Sequence, residues 1–298
     1  MESIVLTVEG KKLEITNPEK LLWQRPPITK LEYIRYLVEV APYLLPYTQD
    51  RLLTMIRYPD GISGKSFFQK EIPRYAPDWI PRHRAGDKQW ILLNDLATLV
   101  WVANQAALEL HLPFNKAGQE ECPSELVLDL DPMDETNFAL VIEIALRTKE
   151  VLDSFGLFSV VKTSGATGLQ IYVPLAPVYT YEETRKVNEL VARYLAAKYP
   201  DKVTLERAVR KRGKLLYFDY LQLWRGRTLP APYSVRARVG APVSTPIAWE
   251  ELEHGVYPLD FTMKTVPERL KKKQDLFRDI TDGRHQQKLD ALLSYIKN

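Results

Sequence analysis

Cysteine is nearly absent: 298 residues contain one, Cys122. A single thiol excludes an intrachain disulfide and a cysteine-built zinc cluster, and it fits a reducing, cytoplasmic setting. Histidine is scarce as well. His83, His111, His254 and His285 show no metal-ligand spacing. There is no internal repeat and no low-complexity linker. Long apolar runs are missing too. The most apolar stretch, Leu96 to Leu110, is interrupted by Asn104 and Gln105 and is too short for the ~30 Å of a bilayer core. Met1 to Ile15 alternates polar and apolar residues and lacks the apolar segment of a signal peptide. No membrane partner is expected.

Apolar residues make up 45% and charged residues 27%, as in an ordinary globular protein with a sizeable core. Net charge is only +3, but it is unevenly spread. From Ala117 to Leu146 there are eight acidic residues and no Lys or Arg; from Lys202 to Gly240 there are ten basic residues and two acidic. An acidic centre beside a basic stripe suits a divalent cation next to a phosphate-rich ligand; a merely solvated surface is the plain alternative.

Short strands are expected at Ile4–Val8 and Leu13–Ile15, with a helix start at Asn17-Pro18-Glu19. Thr29-Lys30-Leu31-Glu32 is a capping box opening a helix, and Thr180-Tyr181-Glu182-Glu183 is another, opening a helix to about Lys198. Leu52–Tyr58 and Trp90–Leu93 read as strands, and Asn94 as the cap of a helix running to about Leu110. Strands follow at Leu126–Leu130, Phe158–Lys162, Leu169–Leu175 and Leu215–Tyr220, with a helix over about Thr136–Phe155. Thr245 reads as the cap of a helix at Pro246–Leu252, and the tail from Pro267 as helical. Strands joined by tight loops predict an α+β fold with antiparallel pairs, not a doubly wound parallel sheet.

Four stretches can carry chemistry. In Leu126-Val127-Leu128-Asp129-Leu130-Asp131-Pro132, strand alternation puts Asp129 and Asp131 on one face. Oxygen-only ligands favour Mg²⁺ or Mn²⁺; an acidic turn is the alternative. Asp219, inside Leu216-Tyr217-Phe218-Asp219-Tyr220, needs a partner. It is either a third carboxylate completing a two-cation site or the mate of an Arg. Thr163-Ser164-Gly165-Ala166-Thr167-Gly168 can cradle an anion or simply turn a hairpin. The basic stripe Arg207, Arg210, Lys211, Arg212, Lys214, Arg225, Arg227, Arg236 and Arg238 is interleaved with aromatics that can stack on bases. Arg236 and Arg238, two apart in an extended-looking stretch, can face one phosphate.

Together these motifs resemble the polymerase domain of bacterial DNA ligase D, within the archaeo-eukaryotic primase superfamily. The resemblance rests on Asn17-Pro18-Glu19-Lys20, Arg57-Tyr58-Pro59-Asp60-Gly61, Phe67-Phe68-Gln69-Lys70, Leu108-Glu109-Leu110-His111, Leu128-Asp129-Leu130-Asp131-Pro132, Thr163-Ser164-Gly165, Phe218-Asp219-Tyr220-Leu221-Gln222 and Ala231-Pro232-Tyr233-Ser234-Val235-Arg236-Ala237-Arg238. It implies a primase-polymerase fold: a mixed, largely antiparallel central sheet with an RRM-like core, flanked by helices. One catalytic domain over residues 1–298 is expected, with an N-terminal layer at 1–115, a core at 116–265 and a helical tail at 266–298.

It further implies that Asp129, Asp131 and Asp219 hold two divalent cations, Mn²⁺ in preference to Mg²⁺. His111, Ser164, Gly165, Gln170, Arg236 and Arg238 are implied to meet the nucleoside triphosphate, ribonucleotide in preference to deoxyribonucleotide. Phe68 is implied to stack on the incoming base, Lys20 and Lys30 to receive a recessed DNA 5′-phosphate, and Arg207–Lys214 to form a DNA-contacting loop. The implied activity is template-dependent nucleotidyl transfer in bacterial non-homologous end joining, in a nucleoid-associated cytoplasmic setting.

The chain departs from the family at Gln170, where a histidine is frequent, and at Ala166 and Thr167, where a glycine and a basic residue are frequent. It has no Lys-x-Asp-Gly ligase motif, since Tyr58-Pro59-Asp60-Gly61 lacks the lysine, and is therefore not expected to be a ligase itself; the resemblance implies Ku and a DNA ligase as partners. Two rival readings are a glycosyltransferase using Asp129-Leu130-Asp131 for Mn²⁺, and a non-catalytic DNA-end binder.

Overall fold

A computed structural model describes residues 3–133 and 137–297. Asp134, Glu135 and the expected helix start at Thr136 lie outside the described residues. The chain divides into two compact units. The first comprises 1–113, 229–245 and 259–275; the second comprises 114–228, 246–258 and 276–298. The expected core at 116–265 is therefore shared out. The strand Leu229–Pro230 pairs with Ala107–Leu112 and joins the first unit. The tail is also divided, with Val266–Lys273 in the first unit and Asp290–Lys297 in the second.

In the first unit, four antiparallel strands lie in the order Leu229–Pro230, Ala107–Leu112, Thr54–Arg57, Phe67–Gln69. The helix Lys30–Thr48 starts at the expected capping box: the Thr29 hydroxyl accepts from the Glu32 N–H, and Glu32 reaches back to the Thr29 N–H. Tyr33, Ile34, Leu37, Ala41 and Leu44 repeat at helical spacing and are buried.

Asn17 does not start a helix. It sits at φ 48°, in a turn leading to the hairpin Leu21–Gln24/Pro27–Thr29. The second helix, Leu96–Asn104, is capped by Asp95, which accepts from the Thr98 N–H at 2.7 Å. Asn94 instead pairs with Asp50 through both its oxygen and its nitrogen. The helix stops well before Leu110: Ala106 takes φ 54°, and 107–112 becomes a strand.

The second unit is built on a six-stranded sheet in the order Val203–Thr204, Leu216–Asp219, Glu125–Asp131, Leu169–Pro174, Val160–Thr163, Pro246–Ile247. All neighbours are antiparallel except the first pair, as an α+β fold requires. Two helices, Phe138–Ser154 and Tyr181–Lys198, pack on this sheet, the second opening at its expected capping box. Leu126, Leu128 and Leu130 are fully buried. Thr245 caps no helix: its hydroxyl donates to the Val243 carbonyl, Pro246–Ile247 pairs at the sheet edge, and the helix Trp249–Glu253 begins later. Among the described residues no helix is long and apolar enough to cross a membrane.

Candidate active site

The centre of the second unit is a row of side chains. Antiparallel pairing sets Lys162 opposite Gln170, Gln170 opposite Asp129, and Asp129 opposite Asp219. Directly opposed residues share a face, so four adjacent strands present these groups to one side. Asp131, two positions from Asp129, joins the same side. Carboxylate oxygens of Asp129, Asp131 and Asp219 all lie within 4.8 Å of one another. The sequence-expected triad is thus brought together.

Two like charges at that spacing cost about 3 kcal/mol at an effective dielectric near 20. Burial pushes the Asp129 carboxyl well above its ordinary range, and the charge of Asp131 pushes it further, as does Asp219. The Gln170 donor and the Lys162 charge oppose that rise. An all-oxygen donor set with three clustered carboxylates fits a hard divalent cation.

Among the described residues Asp219 pairs with no Arg. Its Oδ1 accepts from the Tyr217 hydroxyl and from the Leu221 N–H, both at 3.1 Å. Burial, then the charge of Asp219, pushes the Tyr217 phenol up to about 12. Arg212 folds over the Tyr217 ring at 3.6 Å. It is the half-buried member of the loop, whereas Arg207, Arg210, Lys211 and Lys214 are exposed.

The loop after Lys162 turns a hairpin between Val160–Thr163 and Leu169–Pro174. The Ser164 hydroxyl accepts from the N–H groups of Ala166 and Gly168, so it shapes the loop from within. Gly165 takes φ 71°. At Gly168 an added Cβ would fall 2.4 Å from the Leu130 carbonyl oxygen, so the loop lies directly against the strand that carries the two aspartates. Gln170 is 2% exposed, and its amide N–H donates to Asp129 Oδ1 at 3.1 Å.

In the first unit a second group forms around Glu109. One oxygen, Oε2, accepts from Arg236 Nε at 3.0 Å and lies 2.9 Å from His111 Nε2; Oε1 accepts from the Ala237 N–H. Burial would raise this carboxyl, but His111, Arg236 and the Ala237 N–H outweigh it and hold it at about 2. Two of the residues expected to meet a triphosphate, His111 and Arg236, are thus anchored by an acid whose own role the sequence did not single out. The available signal was a glutamate inside an apolar strand, two residues before a histidine. Arg238 is exposed, and its N–H bonds back to the Arg236 carbonyl. The 236–238 stretch therefore bends, and strand alternation does not align the two guanidiniums.

Phe68 is 70% exposed. Register sets it opposite Ile56, and Ile56 opposite Glu109, so Phe68 shares a sheet face with Glu109 and His111. Lys20 and Lys30 are neighbours, the Lys30 N–H donating to the Lys20 carbonyl. The Lys20 ammonium pairs with Asp60 at 2.8 Å. Lys30 is buried and donates to the Thr16 carbonyl and to Asn104 Oδ1; burial, then Lys20 and Arg57, lowers it to about 8.

Residues 29–277 match the family model described as "LigD, primase-polymerase domain". The chain is 40% identical over 287 residues to the "Bifunctional non-homologous end joining protein LigD" of Bacillus subtilis, covering 96% of this chain and 47% of that protein. It is 31% identical over 248 residues to the "Multifunctional non-homologous end joining protein LigD" of Mycolicibacterium smegmatis, covering 81% and 32%. It thus spans less than half the length of either relative. The solved structure "Polymerase Domain from Mycobacterium tuberculosis Ligase D in complex with DNA" superposes with a TM-score of 0.83 at 28% identity, covering 92% of this chain and 99% of that one.

Proposed function

The chain belongs to the LigD primase-polymerase domain family, a family of nucleotidyltransferases that use a divalent cation and a nucleoside triphosphate, and on that premise we propose that it extends and gap-fills DNA ends during non-homologous end joining. The observation that carries this reading is the convergence of Asp129, Asp131 and Asp219 from two paired strands. These carboxylates hold two divalent cations, Mn²⁺ in preference to Mg²⁺. Bound there, the cations lower the pKa of a primer 3′-hydroxyl and neutralise a triphosphate.

The chain's own groups do the rest. Gln170 fixes Asp129 Oδ1, and Tyr217 with the Leu221 N–H fixes Asp219 Oδ1. His111 and Arg236, held by Glu109, donate to triphosphate oxygens. Ser164, Gly165 and Arg238 are further nucleotide contacts, with ribonucleotide preferred to deoxyribonucleotide. Phe68, exposed on the face that bears His111, stacks on the incoming base. Lys20, after leaving Asp60, meets a recessed 5′-phosphate, with Lys30 as a supporting charge. The loop of Arg207, Arg210, Lys211, Arg212 and Lys214 binds DNA backbone. The primer 3′-oxygen attacks the α-phosphorus, and pyrophosphate leaves. Ku and a ligase activity act on the same ends, in the nucleoid. The family match leaves the glycosyltransferase reading without support.

The test is primer extension on a gapped, 5′-phosphorylated duplex with Mn²⁺ and ribonucleotides. Asp219→Ala should lose at least about a hundredfold in rate, because a cation contributes several kcal/mol to transition-state stabilisation. It should still bind the duplex. Near-normal extension by this variant would sink the two-cation reading. Wild-type protein that binds without extending would make it a DNA-end binder.

A further inference from the structure

Lys162 is fully buried and bears a cation that the nucleotidyl-transfer reading does not use. Its ammonium donates to Gln170 Oε1 and lies 5.6 Å from the centre of the Tyr172 ring. Gln170 in turn donates from Nε2 to Asp129 Oδ1. The three side chains are 0%, 2% and 6% exposed. The polarity of this chain is forced. An ammonium can only donate and a carboxylate can only accept, so the middle residue must accept at one end and donate at the other. A neutral primary amide does both; a glutamate there would set a second carboxylate against Asp129.

We infer that Gln170, backed by Lys162, is a positioning residue that orients the Asp129 carboxylate and thereby sets cation affinity, rather than a ligand of the triphosphate. The inference rests on the cation reading of the Asp129–Asp131–Asp219 cluster. Both ends of the amide are already engaged, one with Asp129 and one with Lys162. Lys162 brings a positive charge to three clustered carboxylates while staying one amide away from the seat of the cation. A lysine bonded directly to Asp129 would compete with that cation. The arrangement follows from strand register, since Lys162, Gln170, Asp129 and Asp219 are successive cross-strand partners.

The test is Mn²⁺ binding to the nucleotide-free protein, followed by electron paramagnetic resonance, together with steady-state nucleotide kinetics at saturating Mn²⁺. Gln170→Met keeps the shape and removes both bonds. Its Mn²⁺ affinity should fall by about tenfold or more, the usual effect of losing a residue that orients a metal ligand. Its KM for nucleotide at saturating Mn²⁺ should change less than about twofold, since uniform substrate binding is not touched. Gln170→His can accept from Lys162 and donate to Asp129, so its Mn²⁺ affinity should stay within about threefold of wild type. Unchanged Mn²⁺ affinity in Gln170→Met, or a raised KM with affinity intact, would overturn the inference. So would equal loss of Mn²⁺ affinity in both variants. Asp219→Ala separates this from the parent reading: if it binds Mn²⁺ as wild type does, the cation site itself is misassigned.

Discussion

Glu109 shows how much one buried side chain can organise. It gathers His111, Arg236 and the Ala237 N–H on two oxygens, and its carboxyl is held at about 2 against an ordinary 4.5. A depressed carboxyl stabilises the fold above the unfolded value and loses that stabilisation as pH falls through the folded one. The shift corresponds to about 3 kcal/mol at neutral pH. Glu109→Gln should therefore cost on that order at pH 7, and the gap to wild type should close as pH falls from 4.5 towards 2. Denaturant unfolding across that range measures it; a gap independent of pH would refute the assignment. Residues of this kind are poorly legible in sequence. Asp129 and Asp131 could be seen as a pair because alternation is local, but the Lys162–Gln170–Asp129–Asp219 row depends on pairing across long sequence separations.

At the scale of elements, capping chemistry was the readable signal. Thr29 with Glu32 and Thr180 with Glu183 started their helices where expected, because a reciprocal box is specified within four residues. Structure departs from local pattern where that pattern is ambiguous. Leu96–Leu110 is mostly apolar, broken only by a few polar residues such as Asn104 and Gln105, and periodicity cannot separate a buried helix from a buried strand there. The left-handed Ala106 makes the break, and the strand after it delivers Glu109 and His111. Hairpin geometry is equally demanding at Gly168, whose missing Cβ leaves room for the Leu130 carbonyl. Gly168→Ala should cost about 1–3 kcal/mol by overpacking and should weaken Mn²⁺ binding by displacing the aspartate strand. Chemical denaturation and Mn²⁺ titration check both; a variant unchanged in both would show that the contact is easily relieved.

At the scale of the whole molecule, two units each carry one part of the chemistry. The second unit bears the carboxylates, and the first bears the His111–Glu109–Arg236 group with Phe68 on the same sheet face. The basic and acidic blocks seen in the sequence fall largely in the second unit, and Asp219 contributes its carboxylate from within the basic one. That an acid in a basic stretch completes the cluster follows from the pairing of Leu216–Asp219 with Glu125–Asp131. The central claim is that Asp129, Asp131 and Asp219 seat the cations of nucleotidyl transfer. Anomalous diffraction from crystals grown with Mn²⁺, gapped DNA and a non-hydrolysable ribonucleoside triphosphate tests it most directly. Two Mn²⁺ peaks among these three carboxylates, bridged to the triphosphate, are the result predicted. Ordered nucleotide with no Mn²⁺ at this cluster would contradict it.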